Sequence, residues 1–256
     1  EAVCAAIKAK GVTPLTASVD GAWPSFIWFE QLLISQDPKL YLDLTSNKIK
    51  YTDPKVVEVF NIWKGMIDKG WFTAGDTSFF GEEAVKLMNK GTMIPVGTWN
   101  NSAFSTTGGL VGGKDYDAFV IPNINPALKT QSIIVEAGAI GALAKGKNLA
   151  KAKVALREWL KFPAQAMWAD VSGDGVPNPK VPVADPVIKS LSKYVATNKV
   201  NQIQRYWESG PVPLIENGCS ILSAFMLGKK TVDETASEMA ALAAKEWKAW
   251  TAKYGK

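Results

Sequence analysis

Trp99 stands where an apolar run ends. Met93, Ile94 and Val96 lead straight into Gly97-Thr98-Trp99-Asn100-Asn101, which sets a large ring among small and amide-bearing loop residues. A core tryptophan falls within a periodic apolar pattern, whereas binding residues gather on loops at the ends of strands. An indole placed there can stack on a flat apolar face such as that of a sugar ring; core packing is the alternative. Asp20-Gly21-Ala22-Trp23 repeats the arrangement, an acidic residue and an indole between a strand end and a helix. Its plainer reading makes Asp20 an N-cap and Trp23 part of the helix core face. Trp207, within Arg205-Tyr206-Trp207-Glu208-Ser209-Gly210-Pro211, is a third aromatic in a loop-like setting. Trp63, Trp159, Trp247 and Trp250 lie on helical stripes and are expected in the core.

Other chemistries fail on residue type or spacing. The sequence has no histidine, which removes Ser-His-Asp and Cys-His nucleophiles and any His-ligated metal. Cys4 and Cys219 are too few for a zinc site and are expected as free buried thiols, with a single disulfide as the alternative. Asp170-x-Ser172-x-Asp174-Gly175 imitates half of a calcium loop, but the twelfth position, which needs a bidentate Glu, is Val181. Gly108-Gly109 and Gly112-Gly113 match neither a P-loop nor a dinucleotide fingerprint. Glu82-Glu83 are adjacent at a helix start, where they face different ways and serve the helix dipole better than a glycosidase pair. No catalytic set, metal site or cofactor is expected.

Over its whole length, a chain of 256 residues at 47% apolar and 21% charged describes an ordinary globular protein of one large or two small domains. The net charge of +5 is spread without a basic block, so no nucleic-acid partner is expected. Ten tryptophans are about three times ordinary usage. Glu1-Ala2-Val3-Cys4 has neither the basic nor the apolar region of a signal peptide. The uncharged stretch between Lys90 and Lys114 holds Pro95 and many Gly, Ser, Thr and Asn, which suits a strand and loops rather than a membrane span.

The elements that must position these residues are interleaved helices and strands. Residues 2–10 have helical spacing, start without an N-cap as a cut helix would, and stop at Gly11. A strand over 12–19 precedes an apolar helix over 23–34. Asp53-Pro54 opens an amphipathic helix with Val56, Val59, Phe60, Trp63, Met66 and Ile67 inward, ended by Gly70. A helix over 81–89 leads to the strand before Trp99. Strands are expected at 116–121 and 133–143, the second broken by Gly138 and Gly141. Asn148 caps a helix with Leu149, Ala152, Leu156, Trp159 and Leu160 inward, and Asp185-Pro186 opens another. Thr231-x-x-Glu234 is a capping box for a last helix reaching about Tyr254. The class is α/β, without internal repeats.

Taken in order, several segments resemble the extracellular solute-binding proteins of bacterial ABC importers, of the sugar and maltodextrin-binding type (family 1). Ala5-Ala6-Ile7-Lys8-Ala9-Lys10-Gly11-Val12-Thr13-Pro14 looks like that family's helix-to-strand step. The run from Asp53-Pro54-Lys55 to Asp68-Lys69-Gly70-Trp71-Phe72 looks like its next helix. Glu83-Ala84-Val85 through Lys90-Gly91-Thr92-Met93-Ile94 to Gly97-Thr98-Trp99 resembles its helix, strand and tryptophan. Residues 150–168 ahead of Gly173 to Pro177 resemble a helix pair before a turn, and Gly228-Lys229-Lys230-Thr231-Val232-Asp233-Glu234 the start of its C-terminal helix. No single match is specific; their order is.

The resemblance implies a periplasmic-binding-protein-like two-lobe fold (type II), here a C-terminal lobe plus part of the N-terminal lobe. It assigns 1–115 and 197–256 to the C-terminal lobe and 116–196 to the N-terminal lobe, most of which would precede this sequence. It implies a small-molecule ligand, a carbohydrate, held in the cleft between the lobes and delivered to the transmembrane permease subunits of the importer. It also implies an extracytoplasmic monomer without enzyme activity, periplasmic or anchored as a surface lipoprotein. Carried over by position, Trp99 is the stacking ring, Asp20 and Trp23 the acidic and aromatic contacts of the C-terminal wall, and Trp207 a later platform. Glu136 and Gly138 lie where the chain passes the cleft. A pyranose offers a C–H face to such rings and hydroxyls to a planar carboxylate. With part of a lobe absent, 116–196 should expose an apolar face. The competing readings are a binder of a non-sugar solute, a glycan-active enzyme built on two carboxylates, and a protein-interaction domain with tryptophan hot spots.

Overall fold

The structure is a computed structural model that describes residues 1–19, 21–73, 91–136 and 138–255. Asp20, Glu82, Glu83 and the helix expected over 81–89 lie outside the described residues. The chain forms two compact units: Glu1–Pro95, Val120–Val135 and Val200–Lys256 make the first, and Val96–Phe119 with Glu136–Lys199 the second.

The first unit is built by helices that local sequence signals start and stop. Helix α1 spans Ala2–Ala9, β1 Thr13–Leu15, α2 Pro24–Gln36, α3 Pro38–Thr45 and α4 Pro54–Asp68. Asp37 and Asp53 cap α3 and α4, their side chains accepting from the Lys39 and Lys55 amides at 2.8 and 2.9 Å. Each of those helices begins with proline, whose missing N–H is no loss in the first turn. Strand β2 (Gly91–Met93) pairs in parallel with β1, and β3 (Ser132–Val135) with β4 (Asn201–Gln204).

The apolar faces of α2 and α4 meet those of two later helices, α8 (Val212–Met226) and α9 (Val232–Tyr254), in one core. Its centre is aromatic. Phe29 stacks on Phe60 at 4.9 Å, and Phe60 and Trp63 meet Phe225 edge-on at 5.6 and 5.2 Å. Trp63 is fully buried, as its stripe predicts. Trp250, on a stripe expected to be buried, is exposed, and Trp247 is only half-buried. Both lie near the C-terminal end of the 23-residue α9, past its last buried residue, Glu246. Cys4 and Cys219 are free thiols; Cys219 is buried and Cys4 half-buried.

The second unit contains α5 (Leu149–Trp159), α6 (Phe162–Ser172) and α7 (Pro186–Thr197). Asp185 caps α7, accepting from the Val187 and Ile188 amides at 2.9 and 3.0 Å. Asn148 precedes α5 but makes no side-chain cap bond. The stripe expected inward on α5 buries none of its residues, and Leu160 is 62% exposed. Trp159 instead packs edge-on against Trp168 of α6 at 5.7 Å. Met167, Trp168 and Val171 are exposed as well, so the apolar face expected within 116–196 is present.

The expected strand at 116–121 is absent except for an isolated bridge between Gly112 and Tyr116, and the strand expected over 133–143 ends at Val135. A strand needs a partner for its backbone groups, and only Ser132–Val135 finds one, in β4. The calcium-like segment is a helix end and turn: Gly173 takes the left-handed cap of α6, and the Asp174 amide donates to Ser172 Oγ at 3.2 Å. Among the described residues no helix is long and apolar enough to cross a membrane.

Candidate functional site

In the first unit, two of the predicted rings come together. Trp23 caps α2 and is placed by an unusual turn, in which both Gly21 and Ala22 have a φ of 64°. Alanine is rarely found in the left-handed region, so something must hold it there. The Ala22 carbonyl accepts from the hydroxyls of Ser25 and Ser223 at 2.7 and 2.9 Å, and Ser223 comes from α8. The Trp23 ring then lies 6.3 Å from Phe26, one turn along the same helix face. Phe26 in turn lies 5.5 Å from Trp207. The result is a row of three rings, Trp23–Phe26–Trp207, whose middle member is buried and whose outer two are half-buried.

Trp207 reaches the row from a 3-10 turn, Tyr206–Glu208, directly after β4. Core side chains fix that junction. Tyr41 donates to the Gln204 carbonyl at 2.7 Å, Glu30 accepts from the Tyr206 amide at 2.9 Å, and the Tyr206 hydroxyl shares a short hydrogen bond with Tyr51. Arg205 pairs with Glu208 across the turn. Burial pushes the phenols of Tyr206, Tyr51 and Tyr41 above their ordinary range. They stay protonated at neutral pH and act as hydrogen-bonding groups rather than acids.

The other described candidates belong to the second unit. Trp99 is 40% exposed on the 3-10 turn Thr98–Asn100, with its indole folded back over Gly97. A side chain at Gly97 would put its Cβ 2.1 Å from the indole nitrogen, so the glycine is what admits the ring. Below it, Asn100 and Asn101 are buried. Asn101 accepts from the Tyr116 hydroxyl at 2.7 Å, and the Nδ2 groups of both asparagines lack an acceptor among the described residues. Glu136 and Gly138 are exposed just past β3.

Sequence reasoning passed over Glu30, Phe26 and the buried tyrosines. Phe26 and Glu30 are four apart on α2 and so share a face, a spacing that signals core unless the carboxylate is noticed as out of place there. A shallow cavity of about 440 Å³ on α9, lined by Asn47, Trp247, Lys248 and Thr251 among others, contains none of the predicted site residues. Among the described residues no cluster of acidic or cysteine side chains could hold a metal ion.

Solved structures share this architecture. A chitin oligosaccharide binding protein matches with a TM-score of 0.77 at 18% identity over 97% of this chain. The chain has the periplasmic-binding-protein-like fold of the bacterial solute receptors. A bacterial solute receptor, described as having an exclusive preference for β-D-galactopyranose, matches with a TM-score of 0.76 at 21% identity over 98% of this chain. A sugar transporter protein from Bacillus licheniformis, solved with stachyose, matches with a TM-score of 0.63 at 14% identity over 95%. The chain spans 63–64% of the length of these proteins. No protein-family model matches the sequence, and no curated protein does either.

Proposed function

We propose that this chain is the larger part of a solute-binding protein that captures a sugar or oligosaccharide and presents it to the transmembrane subunits of an ABC importer. The observation that carries this reading is the row Trp23–Phe26–Trp207, in which two half-buried indoles, the second on a hydrogen-bonded turn, flank a buried ring. Rigid aromatic faces of this kind suit the C–H face of a pyranose. The solute-receptor fold and the sugars named for its solved examples point the same way. By the family resemblance Trp99 is a stacking ring, Asp20 an acidic ligand contact, and Glu136 and Gly138 further ligand contacts.

In this reading 1–115 and 197–256 form the C-terminal lobe, and 116–196 belongs to the N-terminal lobe. In favour of this reading, 1–95 and 200–256 share one compact unit and 136–199 lies in the other, whereas 96–115 falls with the second unit and 120–135 with the first. The protein works outside the cytoplasm as a monomer and carries out no reaction. Ligand contacts shift it toward the state that the permease recognises.

The test is intrinsic tryptophan fluorescence titrated with β-D-galactopyranose, chitin oligosaccharides and stachyose. A saturable change that is lost in Trp99→Ala and weakened in Trp207→Ala is expected. A folded protein that responds to no sugar would overturn the carbohydrate assignment in favour of another solute.

A further inference from the structure

We propose that Glu30 is a positioning residue, whose buried carboxylate sets the turn carrying Trp207 and thereby the spacing of the aromatic row. The inference rests on the reading that this row meets ligand. Glu30 is 3% exposed on a face of α2 where Phe26 and Leu33 are also buried, a place that ordinarily takes an apolar residue. Burying a leucine there would be favourable, whereas burying a carboxylate is costly, so the carboxylate persists where its hydrogen bonds accomplish something.

Its Oε2 accepts the Tyr206 amide at 2.9 Å. That amide is the first of the 3-10 turn Tyr206–Glu208, and the opening N–H groups of any helical turn have no acceptor within the turn itself. The bond therefore fixes where the turn starts relative to α2. Because Phe26 projects from the same helix, the same bond also fixes the 5.5 Å approach of Trp207 to Phe26. Tyr51, through the Tyr206 hydroxyl, and Tyr41, through the Gln204 carbonyl, pin the residues on either side. Glu30 alone of the three holds the backbone one residue from the indole. An apolar residue at position 30 would fill the core yet leave the Tyr206 amide buried without its acceptor.

Two variants separate placement from packing. Glu30→Gln keeps an acceptor of the same reach, and Glu30→Leu removes it while filling the volume. The whole chain, labelled with 5-fluorotryptophan, is read by fluorine NMR, with the Trp207 resonance assigned by its loss in Trp207→Phe. Glu30→Leu should shift and broaden Trp207 while leaving Trp250 in place, and Glu30→Gln should restore the wild-type position. Titration with the three sugars should show binding about tenfold weaker in Glu30→Leu, with no further weakening when the same change is made in Trp207→Ala.

An unmoved Trp207 resonance, or an equal loss in the Trp207→Ala background, overturns the proposal. If no sugar binds any form while Trp207 moves as expected, Glu30 still positions the ring and the carbohydrate reading is what fails. Should Glu30→Leu not fold, Glu30→Asp withdraws the carboxylate by one methylene and must move the same resonance.

Discussion

Gly97→Ala tests whether the placement of Trp99, rather than its mere presence, matters. The backbone at Gly97 is extended, with φ −79° and ψ 164°, so alanine fits it without strain. The added methyl would lie 2.1 Å from Trp99 Nε1 and 2.4 Å from Cδ1. Non-bonded atoms settle at roughly 3.5–4 Å, so the indole must retreat by about 1.5 Å or swing to another rotamer. At 40% exposure the ring has room to do so, and the fold should lose only about 0.5–1.5 kcal/mol. A stacking contact is more exacting, and its loss should weaken sugar binding by about 1.5 kcal/mol, roughly tenfold in Kd. Calorimetric titration with the tightest of the three sugars, alongside a thermal melt, measures both. The expected pattern is a small fall in Tm with an affinity close to that of Trp99→Ala. Wild-type affinity in Gly97→Ala would refute the argument, and so would a collapse of Tm, which would make Trp99 a packing residue.

Three further perturbations act through local chemistry. At the start of α9, the Glu234 carboxylate accepts from the Thr231 amide at 2.8 Å and from its hydroxyl at 2.9 Å, and these bonds, the amide first, hold its pKa below the ordinary 4.5. The charged form is thus favoured on folding. Its contribution is present above pH 4.5 and lost as pH falls through the lower folded value. Urea melts of wild type and Glu234→Gln should therefore differ at pH 7 and draw together as the pH falls below 4.5; a gap that stays constant would rule this out. Removing the cap in Thr231→Ala should cost about 1 kcal/mol at pH 7. For the thiols, burial pushes Cys219 up to about 12, and it raises half-buried Cys4 as well. Reaction with a chromogenic disulfide at pH 8 should label Cys4 first and Cys219 only after denaturant is added, since the thiolate is the reactive form. Equal labelling rates in the native protein would contradict the packing around Cys219.

Helices were the most readable part of the chain because their signals are local. Asp53, Asp185 and Thr231 each sit within three residues of the amide they cap, so a short window of sequence contains the whole interaction. The strand expected at 116–121 has the right residue types, but strand formation depends on a partner that a local window does not reveal. The stripes of Trp159 and Trp250 show the same limit, for an apolar face signals only that something should cover it. At the site, Trp23, Trp99 and Trp207 could be picked out because each breaks the surrounding pattern. Phe26 and Glu30 obey the helical period and so looked like core. What gives them another role is Tyr206, 176 residues further along, and no spacing rule reaches that far.

The pairing of β3 with β4 also has a kinetic side. The strands run parallel, Ser132 opposite Asn201 and Val135 opposite Gln204, and the chain leaves through Glu136–Lys199 between them. These bonds can form only after that entire excursion has closed into a loop, an entropic toll that grows slowly with length and falls early in folding. Tyr41, Glu30 and Tyr51 wait on the other side, so the aromatic row too requires that closure. The helical core faces the same closure, because α8 and α9 also follow the excursion, so a nascent chain gains core and site together.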